Sequence, residues 1–130
     1  MLGDGLMQLS GDDGTAAAYR AMGGHGCISV TANVVPALCA ALHRAWDGSD
    51  IAGFARLRDL LAPLHEAMFL ESNPIPVKAA LELAGLCAST PRLPLTPATP
   101  ATRLHLEALL PALLAAEEAS LAQPRLRLVR

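Results

Sequence analysis

The sequence predicts an α/β chain in which two short strand–helix units come first and only helices follow. Three observations carry this expectation. Short apolar runs at Leu6 to Leu9 and Cys27 to Thr31 are bounded by Gly, Asp or Asn, and each precedes a stretch of helical character. From Ile51 onward, apolar residues recur at steps of three and four. The 52% apolar content is mostly Ala and Leu, with one Trp, one Tyr and two Phe in 130 residues. So apolar a chain buries itself rather than staying disordered.

The first run breaks at Gly11-Asp12-Asp13. Thr15 to Met22 then reads as an Ala-rich helix, with Gly23-Gly24 where a helix stops. Cys27-Ile28-Ser29-Val30-Thr31 is partly β-branched, which suits a buried strand. Asn33 is expected to cap the next helix, where Val34, Leu38 and Leu42 share a face and Pro36 falls in the first turn. Asp47-Gly48-Ser49-Asp50 closes that helix with turn chemistry.

Ile51, Phe54, Leu57, Leu61, Leu64 and Met68 form the stripe of a long amphipathic helix, with Pro63 expected to bend it. Pro74-Ile75-Pro76 marks a stiff connection before a shorter helix, Val77 to Leu83, stopped near Gly85. Thr90 to Pro100 holds four prolines and reads as an extended loop. Thr99 and Pro100 then start a last helix carrying Leu104, Leu106, Leu109, Leu110, Leu113 and Leu114. Pro111 should kink it, at a cost of about 3 kcal/mol in a regular interior. The tail from Pro124 to Arg130 is expected to fray, and Glu117-Glu118 to form a solvated face.

Two strands joined by a crossover helix are parallel, and parallel sheets need several strands with covered faces. A two-stranded pair leaves apolar outer edges open. The front of the chain therefore reads as the end of something longer.

Composition excludes several function classes. Ten basic and 12 acidic residues give a formal charge of −2, with no basic stripe for nucleic acid. Cys27, Cys39 and Cys87 form an odd set without CxxC spacing, which points to free thiols in a reducing cytosol. Ala21 to Leu42 lacks charged residues, but Gly23, Gly24, His25, Gly26, Asn33 and Pro36 interrupt it, so a membrane span is not expected. No signal peptide is expected at Met1 to Leu9. His43, His65 and His105 lack ligand spacing, and no P-loop, GxSxG or dinucleotide pattern occurs, so no metal or external cofactor is expected.

Four ordered motifs go further. They are Leu9-Ser10-Gly11-Asp12-Asp13; Gly23-Gly24-His25-Gly26-Cys27-Ile28-Ser29-Val30-Thr31-Ala32-Asn33-Val34; Glu71-Ser72-Asn73-Pro74-Ile75-Pro76-Val77-Lys78; and Arg92-Leu93-Pro94-Leu95-Thr96-Pro97. Together they closely resemble the dihydrodipicolinate synthase family from Leu9 to about Leu114. The resemblance implies the last two βα units of a TIM (β/α)8 barrel, residues 1–48, followed by a C-terminal helical region, residues 49–130. A whole barrel of this kind takes roughly 250 residues, with active groups at the C-terminal ends of its strands.

The resemblance also implies a lyase of lysine and diaminopimelate biosynthesis, joining pyruvate to aspartate semialdehyde through a Schiff base on a barrel lysine. That lysine and the proton-relaying tyrosine belong to earlier strands than those matched here. No catalytic residue is therefore assigned to this chain, and activity of the chain alone is not expected. Ile28 matches the pyruvate-contacting position. Gly11, Asp12 and Asp13 follow the first strand, where barrels place substrate loops, although adjacent carboxylates also cap helices. Lys78, the only lysine, and Tyr19, the only tyrosine, fall on helices and read as a solvated or ion-pairing side chain and a packing residue. His25 belongs to the turn entering the second strand, opposite the active end. Pro111, Gly53 and the arginine-rich tail depart from the family pattern.

A cytoplasmic homo-oligomer follows from the same resemblance. The competing reading is a non-catalytic helical module that kept this region for oligomerisation or interaction.

Overall fold

The computed structural model describes residues 5–122; the tail from Pro124 to Arg130 lies outside them. Strand β1 (Leu9–Ser10) leads into helix α1 (Asp13–Ala21), and β2 (Gly26–Cys27) into a 3-10 turn (Thr31–Asn33) and helix α2 (Pro36–Asp47). Helices α3 (Ile51–Ala67), α4 (Ile75–Leu83) and α5 (Pro100–Ala122) complete the described chain. The strands are parallel, with Leu9 opposite Gly26 and Ser10 opposite Cys27. Among the described residues they form a two-stranded sheet, so each keeps one unpaired edge.

The core lies among α2, α3, α4 and α5. Val35, Leu61, Leu64, Met68, Ala79, Ala80 and Leu106 are fully buried there. The expected stripe of α3 holds at Phe54, Leu61, Leu64 and Met68, while Ile51 is exposed. On α5 the buried positions are Thr102, Leu106, Leu110, Leu113 and Glu117, one continuous helical face. Trp46 and Phe54 pack with ring centres 5.0 Å apart and planes tilted by 54°, joining the end of α2 to the start of α3.

Local chemistry explains most boundaries. Asp12 caps α1 by accepting from Thr15 N at 2.9 Å, so the helix starts two residues before its expected Thr15. Asp50 caps α3 through Gly53 N at 2.8 Å. A Cβ at Gly53 would run into that Asp50 carboxylate, so the cap as it stands suits a glycine there. Tyr19 packs its ring against Gly24, where no Cβ fits. Thr99 stands before α5 as expected, and its hydroxyl accepts from Thr102 N at 3.3 Å.

Several expectations are corrected. The second strand ends at Cys27 rather than Thr31, because side chains take over its hydrogen bonds: the Asp13 carboxylate accepts from Val30 N and Thr31 N, and Ser29 Oγ from Ala32 N. Asn33 does not cap α2; its amide donates to Val30 O at 2.9 Å inside the 3-10 turn. The last helix spans Pro100 to Ala122 with Pro111 inside it at an exposed position. Glu117 is no solvated residue. It is 6% exposed.

Candidate functional site

Because the strands are parallel, their C-terminal ends lie side by side, and the four expected site positions gather there. Gly11, Asp12 and Asp13 follow β1, and Ile28 follows β2. Ile28 N donates to Ser10 O at 2.8 Å, carrying the ladder one step past β2. Its side chain is 70% exposed, unusual for an Ile in a strand motif. Gly11 has open space where a Cβ would stand. His25 lies at the other end, its Nδ1 accepting from Gln8 N at 2.9 Å.

The two aspartates have different tasks. Asp12 is exposed, and the Thr15 hydroxyl at 2.6 Å holds its carboxyl below the usual range. Asp13 is buried and accepts from Val30 N at 2.8 Å and Thr31 N at 3.1 Å, tying α1 to the backbone after β2. Thr31 is fully buried, and its Oγ1 lies 2.8 Å from Nδ1 of buried His65 on α3. Burial lowers the His65 pKa, against an opposing pull from Asp13 and Asp12. The neutral ring is thus favoured beside Thr31.

A cavity of about 300 Å³ opens between α1 and α3, with Asp12, Asp13, Arg58, His65, Glu66 and Phe69 among its walls. Ile28 is not one of them, so the exposed Ile and this cavity are separate features of this end.

The segment after β2 is also held from behind. Glu117 of α5 accepts from Ala37 N at 2.7 Å and Leu38 N at 2.8 Å. Beneath α1, Arg20 donates to Gly24 O and His25 O and pairs with Asp47. Sequence reasoning missed Thr31, His65 and Glu117. Signals existed: His65 is four residues from Leu61, and Glu117 four from Leu113, each on a buried stripe.

This end can line a small ligand with an apolar wall and a firmly held backbone. It offers no amine. Lys78 is half-buried on α4, and Tyr19 packs on α1. The thiols are free; burial, then Asp13, pushes Cys27 up to about 11 and Cys39 up to about 12, so neither is an ionised nucleophile near neutrality. Among the described residues, no group of His, Cys, Asp and Glu is arranged to hold a metal ion.

Comparison with known proteins gives this geometry a context. A family model described as the dihydrodipicolinate synthetase family matches residues 1–113. The 4-hydroxy-tetrahydrodipicolinate synthase of Rhodospirillum centenum is 57% identical over 102 residues, covering 78% of this chain and 35% of that protein. The chain thus spans about a third of the length of the curated relatives it matches. The dihydrodipicolinate synthase of Aquifex aeolicus superposes with a TM-score of 0.80 at 38% identity, over 84% of this chain and 37% of that one. The chloride-inhibited enzyme of Acinetobacter baumannii, solved with pyruvate, gives 0.74 at 41% identity, over 78% and 35%.

Proposed function

The chain belongs to the dihydrodipicolinate synthetase family, and from that premise we propose that it forms the C-terminal part of a 4-hydroxy-tetrahydrodipicolinate synthase. In this reading residues 1–48 are the last two βα units of the barrel, and residues 49–130 the helical region behind them. The observation that carries it is the gathering of Gly11, Asp12, Asp13 and Ile28 at the C-terminal end of a parallel strand pair, where barrel enzymes work.

The reaction is a condensation. A lysine amine from another part of the barrel adds to the pyruvate carbonyl, and water leaves as the iminium forms. Loss of a methyl proton gives the enamine, whose carbon attacks the aldehyde of aspartate semialdehyde. The residues of this chain bind and position. Ile28 lines the pyruvate pocket with its exposed side chain, and Gly11 leaves room for substrate beside the backbone. Asp12 and Asp13 stand near the substrate and shape its loop through the hydrogen bonds they accept. The lysine and the relaying tyrosine come from the preceding strands, so the chain alone is inactive.

The site of action is the cytoplasm, in keeping with three free thiols. Among the described residues, no helix is long and apolar enough to cross a membrane. The exposed Leu6, Met7, Leu9 and Ile28 also favour a second reading, in which the chain is a non-catalytic helical module for oligomerisation or interaction.

The test is trapping with pyruvate and borohydride, read by intact mass and peptide mapping. The purified chain should gain no pyruvate-derived adduct at Lys78 faster than the urea-unfolded chain does. A rapid, specific adduct at Lys78 overturns the assignment, because this segment would then carry its own catalytic amine.

A further inference from the structure

The route from Ile28 to α2 is held almost without regular structure. After Ile28 the N–H groups of Val30 and Thr31 go to Asp13, and the Thr31 hydroxyl meets His65. Val34 and Val35 then donate back to Thr31 O at 2.9 and 3.1 Å. Next comes the first turn of α2, which has no capping side chain of its own: Val35 stands at the cap position and Pro36 has no N–H to give. Cys39 N reaches Val35 O at 3.2 Å. Ala37 and Leu38 are therefore the donors left over, and each takes one oxygen of Glu117.

A buried carboxylate across two backbone N–H groups at a helix N-terminus is matched both by hydrogen bonds and by the helix dipole. Its sequence position is unusual. Glu117 lies about 80 residues from the donors it serves and beyond residue 113, where the family match ends.

We propose that Glu117 is a positioning residue: by holding the first turn of α2, it fixes the Ile28–Val35 segment at the substrate end of the strands. The proposal rests on the reading of Ile28 as the pyruvate-contacting residue. Asp13 anchors the segment at its start, His65 in its middle and Glu117 at its end, so each anchor comes from a different helix.

Amide hydrogen exchange on the full chain tests this. Glu117→Gln keeps the shape but turns an NH2 toward one backbone donor. Exchange should quicken about ten-fold or more at Ala37 and Leu38, and also at Val30, Thr31, Val34 and Val35, with the α4 amides unchanged. Glu118→Gln, at the exposed neighbour, should change none of these. Faster exchange confined to Ala37 and Leu38 would reduce Glu117 to a local cap and overturn the proposal. If Glu117→Gln does not fold, Glu117→Asp, too short to span both donors, is read by the same pattern.

A second readout uses the chain combined with the first six βα units of the Rhodospirillum centenum synthase. There Glu117→Gln should raise the pyruvate KM about ten-fold and leave kcat within about two-fold. An unchanged KM also overturns the proposal. If the unmodified chain restores no activity in that mixture, the synthase reading fails instead, and the exchange pattern still decides the role of Glu117.

Discussion

Ile28 and Leu61 show how differently one aliphatic side chain can be used. Leu61 is fully buried at the centre of α3, whereas Ile28 is 70% exposed at the end of β2. Leu61→Ala should cost roughly 2–5 kcal/mol through lost burial and a residual cavity. Ile28→Ala should change stability by no more than about 0.5 kcal/mol, since little apolar contact is lost. Denaturant unfolding of the two variants checks this contrast. A large loss for Ile28→Ala would make that residue part of the core rather than of a site. At this scale the motif residues were legible and their partners were not. His65 and Glu117 sit on largely apolar buried stripes, and a charged or titratable residue on such a stripe is the visible sign of a buried hydrogen bond. What it bonds to lies 34 to 80 residues away, and no local pattern encodes that.

Between elements, polar contacts set how the helices meet. Arg103 on α5 pairs with Glu82 on α4 at 2.6 Å, and Glu82 also accepts from Ser89 N at 3.2 Å. The Arg103 guanidinium, with Ser89, pulls the Glu82 carboxyl down to about 2 from an ordinary 4.5. A lowered folded pKa means stability that is full above pH 4.5 and is lost as pH falls toward 2. Glu82→Gln should therefore flatten the pH dependence of unfolding across that window and leave its shape at neutral pH unchanged. A curve as steep as the parent's would exclude this pair as the source. Helix positions were readable because period and caps act locally: α3 and α4 begin and end within two residues of expectation. The second strand is shorter than its composition predicts, for a physical reason. Its β-branched run has the right composition, but Asp13 and Ser29 supply hydrogen bonds that a neighbouring strand would otherwise give.

For the whole molecule, the decisive feature is a two-stranded parallel sheet backed by four well-packed helices. Parallel strands are ordinarily buried on both sides and flanked by further strands. Among the described residues β1 and β2 each keep an open edge, and Leu6, Met7, Leu9 and Ile28 are exposed. The sequence already implied this, since two strands cannot close a sheet. The helical core was less legible, because the contacts joining α2, α3 and α5 are long-range. In the proposed account the open strand face accepts the other six βα units of a barrel, which bring the lysine, and this chain supplies the pyruvate wall. The most direct test mixes the chain with the first six βα units of the Rhodospirillum centenum synthase and follows condensation of pyruvate with aspartate semialdehyde. Turnover is expected only in the mixture, with borohydride trapping pyruvate on the added fragment's lysine. No association and no turnover, with the fragment folded and the chain intact, would contradict it.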